Sequence, residues 1–328
     1  MPQPPLEILP PPIAHLRRGN VGVDYVHRFA SARPGPEVLV QALTHGNEIC
    51  GAHALLWLLE QVEQVEQVEQ VEQGFAPQRG ALTLVLANVA AFERFDAQAP
   101  HRSRFVDEDM NRVWSDEALQ APIDSVERRR ARELRPFVDE ADFVLDIHSM
   151  HEDCQALMVC GTADKNAAYA RALGVPGLLL IDTGHPAGLR MVERGGFSDP
   201  ASPRRALLVE CGQHWQRASV DVAIDTLVRF LALTGLADAD WAQQHRRLPT
   251  PPRQRLVRVT EAVVAQSADF RFLLPVQGLA VVPQAGTPIA RDGERTWLAP
   301  YDNTVLVMPS TQHARPGNTQ VRLGRYED

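Results

Sequence analysis

Two histidines and two glutamates stand where apolar runs end: His45 and Glu48 in Thr44-His45-Gly46-Asn47-Glu48, His148 in Asp146-Ile147-His148, and Glu210 after Leu207-Leu208-Val209. Imidazole nitrogen and carboxylate oxygen are zinc-type ligands, and His45 and Glu48, three positions apart at a turn into a helix, can point to one place. Taken alone the pair has a plainer reading, because Glu48 also favours a helix N-terminus by its charge. His148 alone reads equally as a hydrogen-bonded core histidine, and Glu210 as half of an ion pair at a strand end. Together, two histidines and one carboxylate supply three ligands and leave a fourth tetrahedral position for water, the arrangement of a catalytic zinc site rather than a closed structural one. Glu210, from a different strand, is then the general base for a water whose pKa zinc lowers to about 7.

Such residues meet only if their strands end on the same side of one sheet. Val38 to Leu43 reads as the strand that delivers His45, preceded by a strand over Gly22 to Phe29 and the turn Arg33-Pro34-Gly35-Pro36. A helix from Ile49 runs on into repeated Val-Glu-Gln, so 61–73 is a low-complexity helical insert stopped by Gly74. Its valines rotate by about 60° from one to the next and line no single stripe, which points to a solvent-exposed extension rather than a coiled coil. Ala81 to Ala87 reads as a strand buried on both faces, and a long polar loop after Asn88 carries Arg102, Arg104, Asp107, Glu108, Asp109, Asn111 and Arg112. Asp124 to Val138 is expected to be a helix with Glu127, Arg128 and Glu133 exposed, and Phe143 to His148 a strand with Asp146 and His148 on one face.

Further short apolar runs at 157–160, 177–181 and 206–209, a helix near 167–173 and an amphipathic helix over 220–233 complete an α/β pattern. In such a sheet, ligands bind outside the carboxyl ends of the strands. The polar stretch 236–254 reads as a linker, and from Gln254 the texture changes to short strands and turns at 255–264, 272–274, 279–282, 296–298 and 304–308. The expected division is a catalytic α/β domain over 1–250 and a small all-β C-terminal domain over 251–328.

Composition excludes several classes of function. The 328 residues are 45% hydrophobic and 23% charged, ordinary for a soluble globular protein, and a net charge of -8 with a pI near 5.8 argues against a nucleic-acid partner. The run Arg128-Arg129-Arg130 lies between Glu127 and Glu133 and reads as a solvated helix face. Prolines at 4, 5, 10, 11 and 12 make the first 20 or so residues an extended covering arm, without the pattern of a signal peptide. No apolar stretch is long enough to span a bilayer, and Cys50, Cys154, Cys160 and Cys211 form no CxxC pair, so reduced thiols and a cytoplasmic location are expected. Among the other histidines, His53, His151, His185 and His214 are not expected to be ligands, although His151 and His214 stand close enough to His148 and Glu210 to line a site.

Five motifs in order extend this reading: Thr-His45-Gly-Asn-Glu48, the Asn-Val-Ala-Ala that starts at Asn88, Arg104-Phe-Val-Asp-Glu-Asp109-Met-Asn111-Arg112, Asp146-Ile-His148-Ser and Val-Glu210-Cys-Gly. Over roughly residues 40 to 215 the chain resembles the succinylglutamate desuccinylase and aspartoacylase family, relatives of the zinc carboxypeptidases. The resemblance implies a zinc-carboxypeptidase-like, mixed and mainly parallel sheet flanked by helices. It implies one zinc ion per chain on His45, Glu48 and His148, with Glu210 as the base that activates water. Arg104 matches the arginine that polarises the scissile carbonyl, and Asn111 and Arg112 match the pair that holds the substrate carboxylate, a role suited to a planar guanidinium fork. Asp109 and Asp146 are expected to orient an arginine and His148. A further substrate arginine is open among Arg190, Arg194, Arg204 and Arg205, and Tyr301 either reaches the site from the β domain or is a buried strand-turn tyrosine.

The reading with most support is a zinc-dependent amidohydrolase that deacylates an N-acyl amino acid or similar small carboxylate. A zinc carboxypeptidase acting on peptides keeps the same site. A non-catalytic module that binds a small carboxylate would be marked by a missing ligand or base, and none is missing.

Overall fold

Apolar runs of strand length become the middle of one large sheet. The computed structural model describes residues 4–67, 74–182, 184, 187–310 and 314–327. Its first strands are β1 (Val26–Ala30), β2 (Glu37–Ala42), β3 (Ala81–Leu86), β4 (Phe143–Met150), β5 (Leu157–Val159), β6 (Leu178–Ile181) and β7 (Arg205–Gln213). Between them lie α1 (Cys50–Gln67), α2 (Val89–Phe92), α3 (Asp116–Gln120), α4 (Val126–Glu140) and α5 (Asp164–Leu173), and after β7 come α6 (Arg217–Leu233) and α7 (Ala239–His245). The rest is strand: β8 (Arg255–Val264), β9 (Arg271–Phe272), β10 (Val281–Val282), β11 (Pro288–Asp292), β12 (Arg295–Leu298), β13 (Thr304–Val307) and β14 (Thr319–Tyr326). Of the Val-Glu-Gln repeat, helix α1 takes in the part up to Gln67, and 68–73 lie outside the described residues. Among the described residues, no helix is long and apolar enough to cross a membrane.

The sheet order is β1-β3-β2-β4-β7-β5-β6-β8-β14-β13-β10, with β12-β11-β9 as a separate small sheet. Strands β3, β2, β4 and β7 run parallel side by side, while β1 and β5 are antiparallel to their neighbours β3 and β7. Both faces of this central part are covered, as continuous apolar runs require. Alternation along β2 sends Val38, Val40 and Ala42 to a core shared with Leu55 and Leu58 of α1 and Leu227 and Phe230 of α6, whereas Leu39 joins Leu134 and Val138 of α4 on the other side. Register sets Gln41 beside Asp146 and His148 beside Glu210, so β2, β4 and β7 bring their polar ends to one edge.

The C-terminal strands continue the same ladder, because β8 pairs in parallel with β6 on one side and antiparallel with β14 on the other. Val257, Val259, Val305 and Val307 share a core with Val144 and Leu178, and a further cluster forms around Val263, Ile289, Trp297 and Leu323.

Two local readings change. Within 236–254 the chain forms α7, whose Trp241 packs 5.0 Å from the Phe75 ring and 6.1 Å from Trp57, so one aromatic anchors a stretch that composition marks as polar. Glu127, expected on a solvated helix face, is fully buried, and its carboxylate accepts from Val106 N at 2.6 Å, Asp107 N at 3.1 Å, Glu108 N at 3.3 Å and Asn88 Nδ2 at 3.0 Å. Ser125 caps α4 just ahead of it, so Glu127 sits in the first turn, where a carboxylate is favoured, and there gathers the donors of the 105–109 loop. Removing a buried acceptor costs about 1–3 kcal/mol per stranded donor. Glu127→Ala is therefore expected to lower unfolding free energy in urea by about 3 kcal/mol or more; a loss below about 1 kcal/mol would show that the loop does not depend on it.

Candidate metal centre and active site

A tight turn, rather than the first turn of a helix, makes His45 and Glu48 converge. Leu43 takes φ 60° beyond the end of β2, Glu48 N donates to His45 O at 3.1 Å, and α1 starts only at Cys50. Gly46 lies under the segment that follows β3: a Cβ there would stand 2.3 Å from Phe92 N and 2.4 Å from Ser103 O. The close approach lets Gly46 N donate to Arg104 O at 3.1 Å, which ties Arg104 to the turn.

Glu48 is the hub. Its Oε1 is 2.7 Å from His45 Nδ1 and its Oε2 is 2.8 Å from His148 Nδ1, with all three side chains buried. The far nitrogen of each ring meets a carboxylate, His45 Nε2 with Asp109 Oδ1 at 2.8 Å and His148 Nε2 with Asp146 Oδ2 at 2.8 Å. Asp146 is itself held by Thr44 Oγ1 at 2.9 Å. When both Nε2–H groups donate to those carboxylates, both Nδ1 lone pairs face Glu48. Three acceptors directed at one place need positive charge between them, so a divalent cation fits this donor set. Asp109 takes a double part, since Arg104 Nη2 also reaches its Oδ2 at 3.3 Å while Arg104 Nη1 donates to Glu48 Oε1 at 3.2 Å.

Without a cation, protons shared between rings and carboxylates fill the same place. Burial pushes the Glu48 carboxyl up, but the rings of His45 and His148 outweigh it and hold the group well below the usual carboxylate range. Burial would lower His148, yet Asp146 and Glu48 outweigh that and raise it well above an ordinary histidine. Across the ladder from His148, Glu210 has its Oε2 sealed from solvent without a hydrogen-bond partner. Burial, reinforced by the Glu48 carboxylate, pushes Glu210 up to about 8. A carboxyl that favours its proton beside a cation-binding group is equipped for general acid–base work.

The cleft around these groups has a volume of about 230 Å³ and is lined by four arginines, Arg104, Arg112, Arg190 and Arg322. Arg112 donates to Asn111 O at 2.7 Å, and Asn111 Oδ1 accepts from Met191 N at 3.3 Å, which leaves the Asn111 amide NH2 to donate. Arg190 reaches the cleft while paired with Asp182 at 2.9 Å and Glu193 at 2.6 Å. Arg194 is held by Asp139, Arg204 by the carbonyls of Ala141 and Val138, and Arg205 by Ser202 O, and none of the three lines the cleft. Tyr301 is not brought to it either: its hydroxyl pairs with Thr260 Oγ1 at 2.7 Å. The C-terminal strands contribute Arg322 instead, buried on β14 with Nε 3.2 Å from Asp182 Oδ2. No motif announces Arg322, which stands far along the chain from the other site residues. His151 and His214 line the cleft, His53 does not and bonds Leu9 O at 2.9 Å, and His185 lies outside the described residues.

Residues 34–217 match the family description "Succinylglutamate desuccinylase/Aspartoacylase catalytic domain", more than half of the chain. The chain belongs to this family. Its members are deacylases of small acylated amino acids. The fold is similar to the succinylglutamate desuccinylase structure from Vibrio cholerae, at 17% identity and TM-score 0.64, over 94% of this chain and 88% of that one. It is similar to that from Chromobacterium violaceum at 16% and 0.65, over 93% and 89%, and to that from Vibrio parahaemolyticus at 17% and 0.63, over 92% and 86%. No curated protein matches the sequence.

Proposed function

We propose that this family member is a zinc-dependent deacylase that hydrolyses the amide bond of an N-acyl amino acid or a similar small carboxylate. The observation that carries the reading is Glu48 held between two imidazole nitrogens with the unbonded Glu210 Oε2 beside them. His45, Glu48 and His148 would hold the ion, and their mixed nitrogen and oxygen donors suit zinc. Zinc supplies Lewis acidity there, lowering the pKa of water and drawing charge from a carbonyl oxygen. Glu210 Oε2 takes one proton from the attacking water and returns it to the leaving nitrogen, and the second water proton follows to the amine, so water and amide become carboxylate and ammonium. Arg104 faces the oxygen on which negative charge grows. Arg112, the Asn111 amide and Arg322 hold the substrate carboxylate, and the small volume of the cleft favours an acyl amino acid over a peptide.

A substrate panel tests this. Zinc-loaded protein is expected to cleave N-succinyl or N-acetyl acidic amino acids and to leave short peptides with free C-termini intact; the reverse preference would favour a carboxypeptidase. With the substrate found, Arg112→Ala and Arg322→Ala are each expected to raise KM by about 10–100-fold with a smaller change in kcat, the loss of one charge-assisted contact made in ground and transition states alike. An unchanged KM in Arg322→Ala would remove the C-terminal strands from substrate binding.

A further inference from the structure

Beside the first centre stands a second group of nitrogen donors. His101, His151 and His214 each offer a ring nitrogen within 4.8 Å of the other two. His101 Nδ1 and His151 Nδ1 are 3.1 Å apart, close to the separation of about 3.3 Å that two nitrogens take at 2.0–2.1 Å from a tetrahedral ion. The His214 ring is fixed by Ser149 Oγ at 2.9 Å from its Nδ1, the kind of outer partner that sets tautomer and direction in a metal-binding histidine. Trp215 packs on two of the rings, 4.8 Å from His101 and 5.5 Å from His214, and walls the group with apolar surface. Burial lowers all three histidines, His101 to about 4 and His214 to about 3, so they are neutral and carry lone pairs.

We infer that His101, His151 and His214 form a second site for a divalent first-row transition metal, with its fourth position open to the cleft. Three imidazoles favour zinc, nickel, cobalt or copper over calcium or magnesium. His151 and His214 line the cleft and follow the carboxyl ends of β4 and β7, the strands that carry His148 and Glu210. His101 comes from the 3-10 turn Pro100–Ser103, immediately ahead of Arg104. An ion on all three therefore fastens the loop that carries Arg104 to the two central strands of the site. Ser149 joins the two centres, its N–H on Glu48 Oε2 at 3.3 Å and its hydroxyl on His214.

Equilibrium dialysis of the full-length chain against zinc alone tests the site. The parent is expected to bind two equivalents, His148→Ala one, His101→Ala one, and the double variant none. One equivalent in the parent and none in His148→Ala would overturn the second site, leaving a hydrogen-bonded imidazole cluster. One equivalent in both the parent and His148→Ala, lost in His101→Ala, would instead uphold it while removing the first. Two measurements on His148→Ala avoid any change to the cluster. Added cobalt should show the visible absorption of a four-coordinate nitrogen-rich site, and amide exchange over 98–104 should slow by about tenfold or more on loading with zinc. Absence of both effects would also overturn the inference.

Discussion

Glu210→Gln is expected to lower kcat by about 1,000-fold while zinc at the first centre stays bound. The amide keeps the size and burial of the side chain but cannot accept a proton from water, and Glu210 makes no hydrogen bond through Oε2 whose loss would disturb the fold. Near-normal turnover would assign the base elsewhere. The same pair of proteins gives a second result without metal. In the chelated chain, burial and the Glu48 carboxylate push Glu210 up to about 8, whereas an ordinary glutamate stands at 4.5. A carboxyl raised on folding stabilises the fold below its unfolded value and ceases to do so as pH rises through the folded value. Chelated parent protein is therefore expected to lose stability relative to Glu210→Gln between about pH 4.5 and 8, by roughly 5 kcal/mol in urea unfolding. A constant difference across that window would refute the raised carboxyl.

His148→Ala is expected to release one equivalent of zinc and to abolish measurable turnover. In the proposed function the imidazole is a donor to the ion; in the structure it holds Glu48 Oε2, and its Nε2 contact with Asp146 fixes the ring. Asp146→Ala removes the contact that orients this ring and also strands Thr44 Oγ1, and should weaken zinc by about 10–100-fold without removing a ligand. Metal analysis after dialysis against graded chelator separates the two variants. Full zinc retention in His148→Ala would move the ion away from this group.

The centre of the fold and the His45, Glu48 and His148 group were legible for one reason. His45 and His148 stand at the ends of apolar runs, Glu48 follows His45 in the same turn, and apolar runs of strand length in an α/β pattern end on one side of one sheet. The five ordered motifs carried the family as well. Glu127 was not legible, because a glutamate before three arginines has the pattern of a solvated helix face; only the chain passing over it, 105–109, makes it an anchor. Arg322 was hidden because buried Gln320 and Arg322 on β14 blur the alternation that marks a strand. His101 lies in a loop without periodicity, so nothing local links it to His151 and His214. For Tyr301 the sequence leaves open a reach into the site from the β domain or a buried strand-turn place, and the structure pairs its hydroxyl with Thr260.

The parallel pairing of β8 with β6 bears on how the protein can be cut. Leu178 to Ile181 are all buried, and β8 covers the backbone groups of this strand along one side. Removing the chain from residue 255 would leave a short apolar edge with unpaired N–H and C=O groups, a template for the edge of another molecule. The C-terminal strands thus act as a guard against self-association, and a shortened chain should be lost to aggregation before any deficit in chemistry could be read.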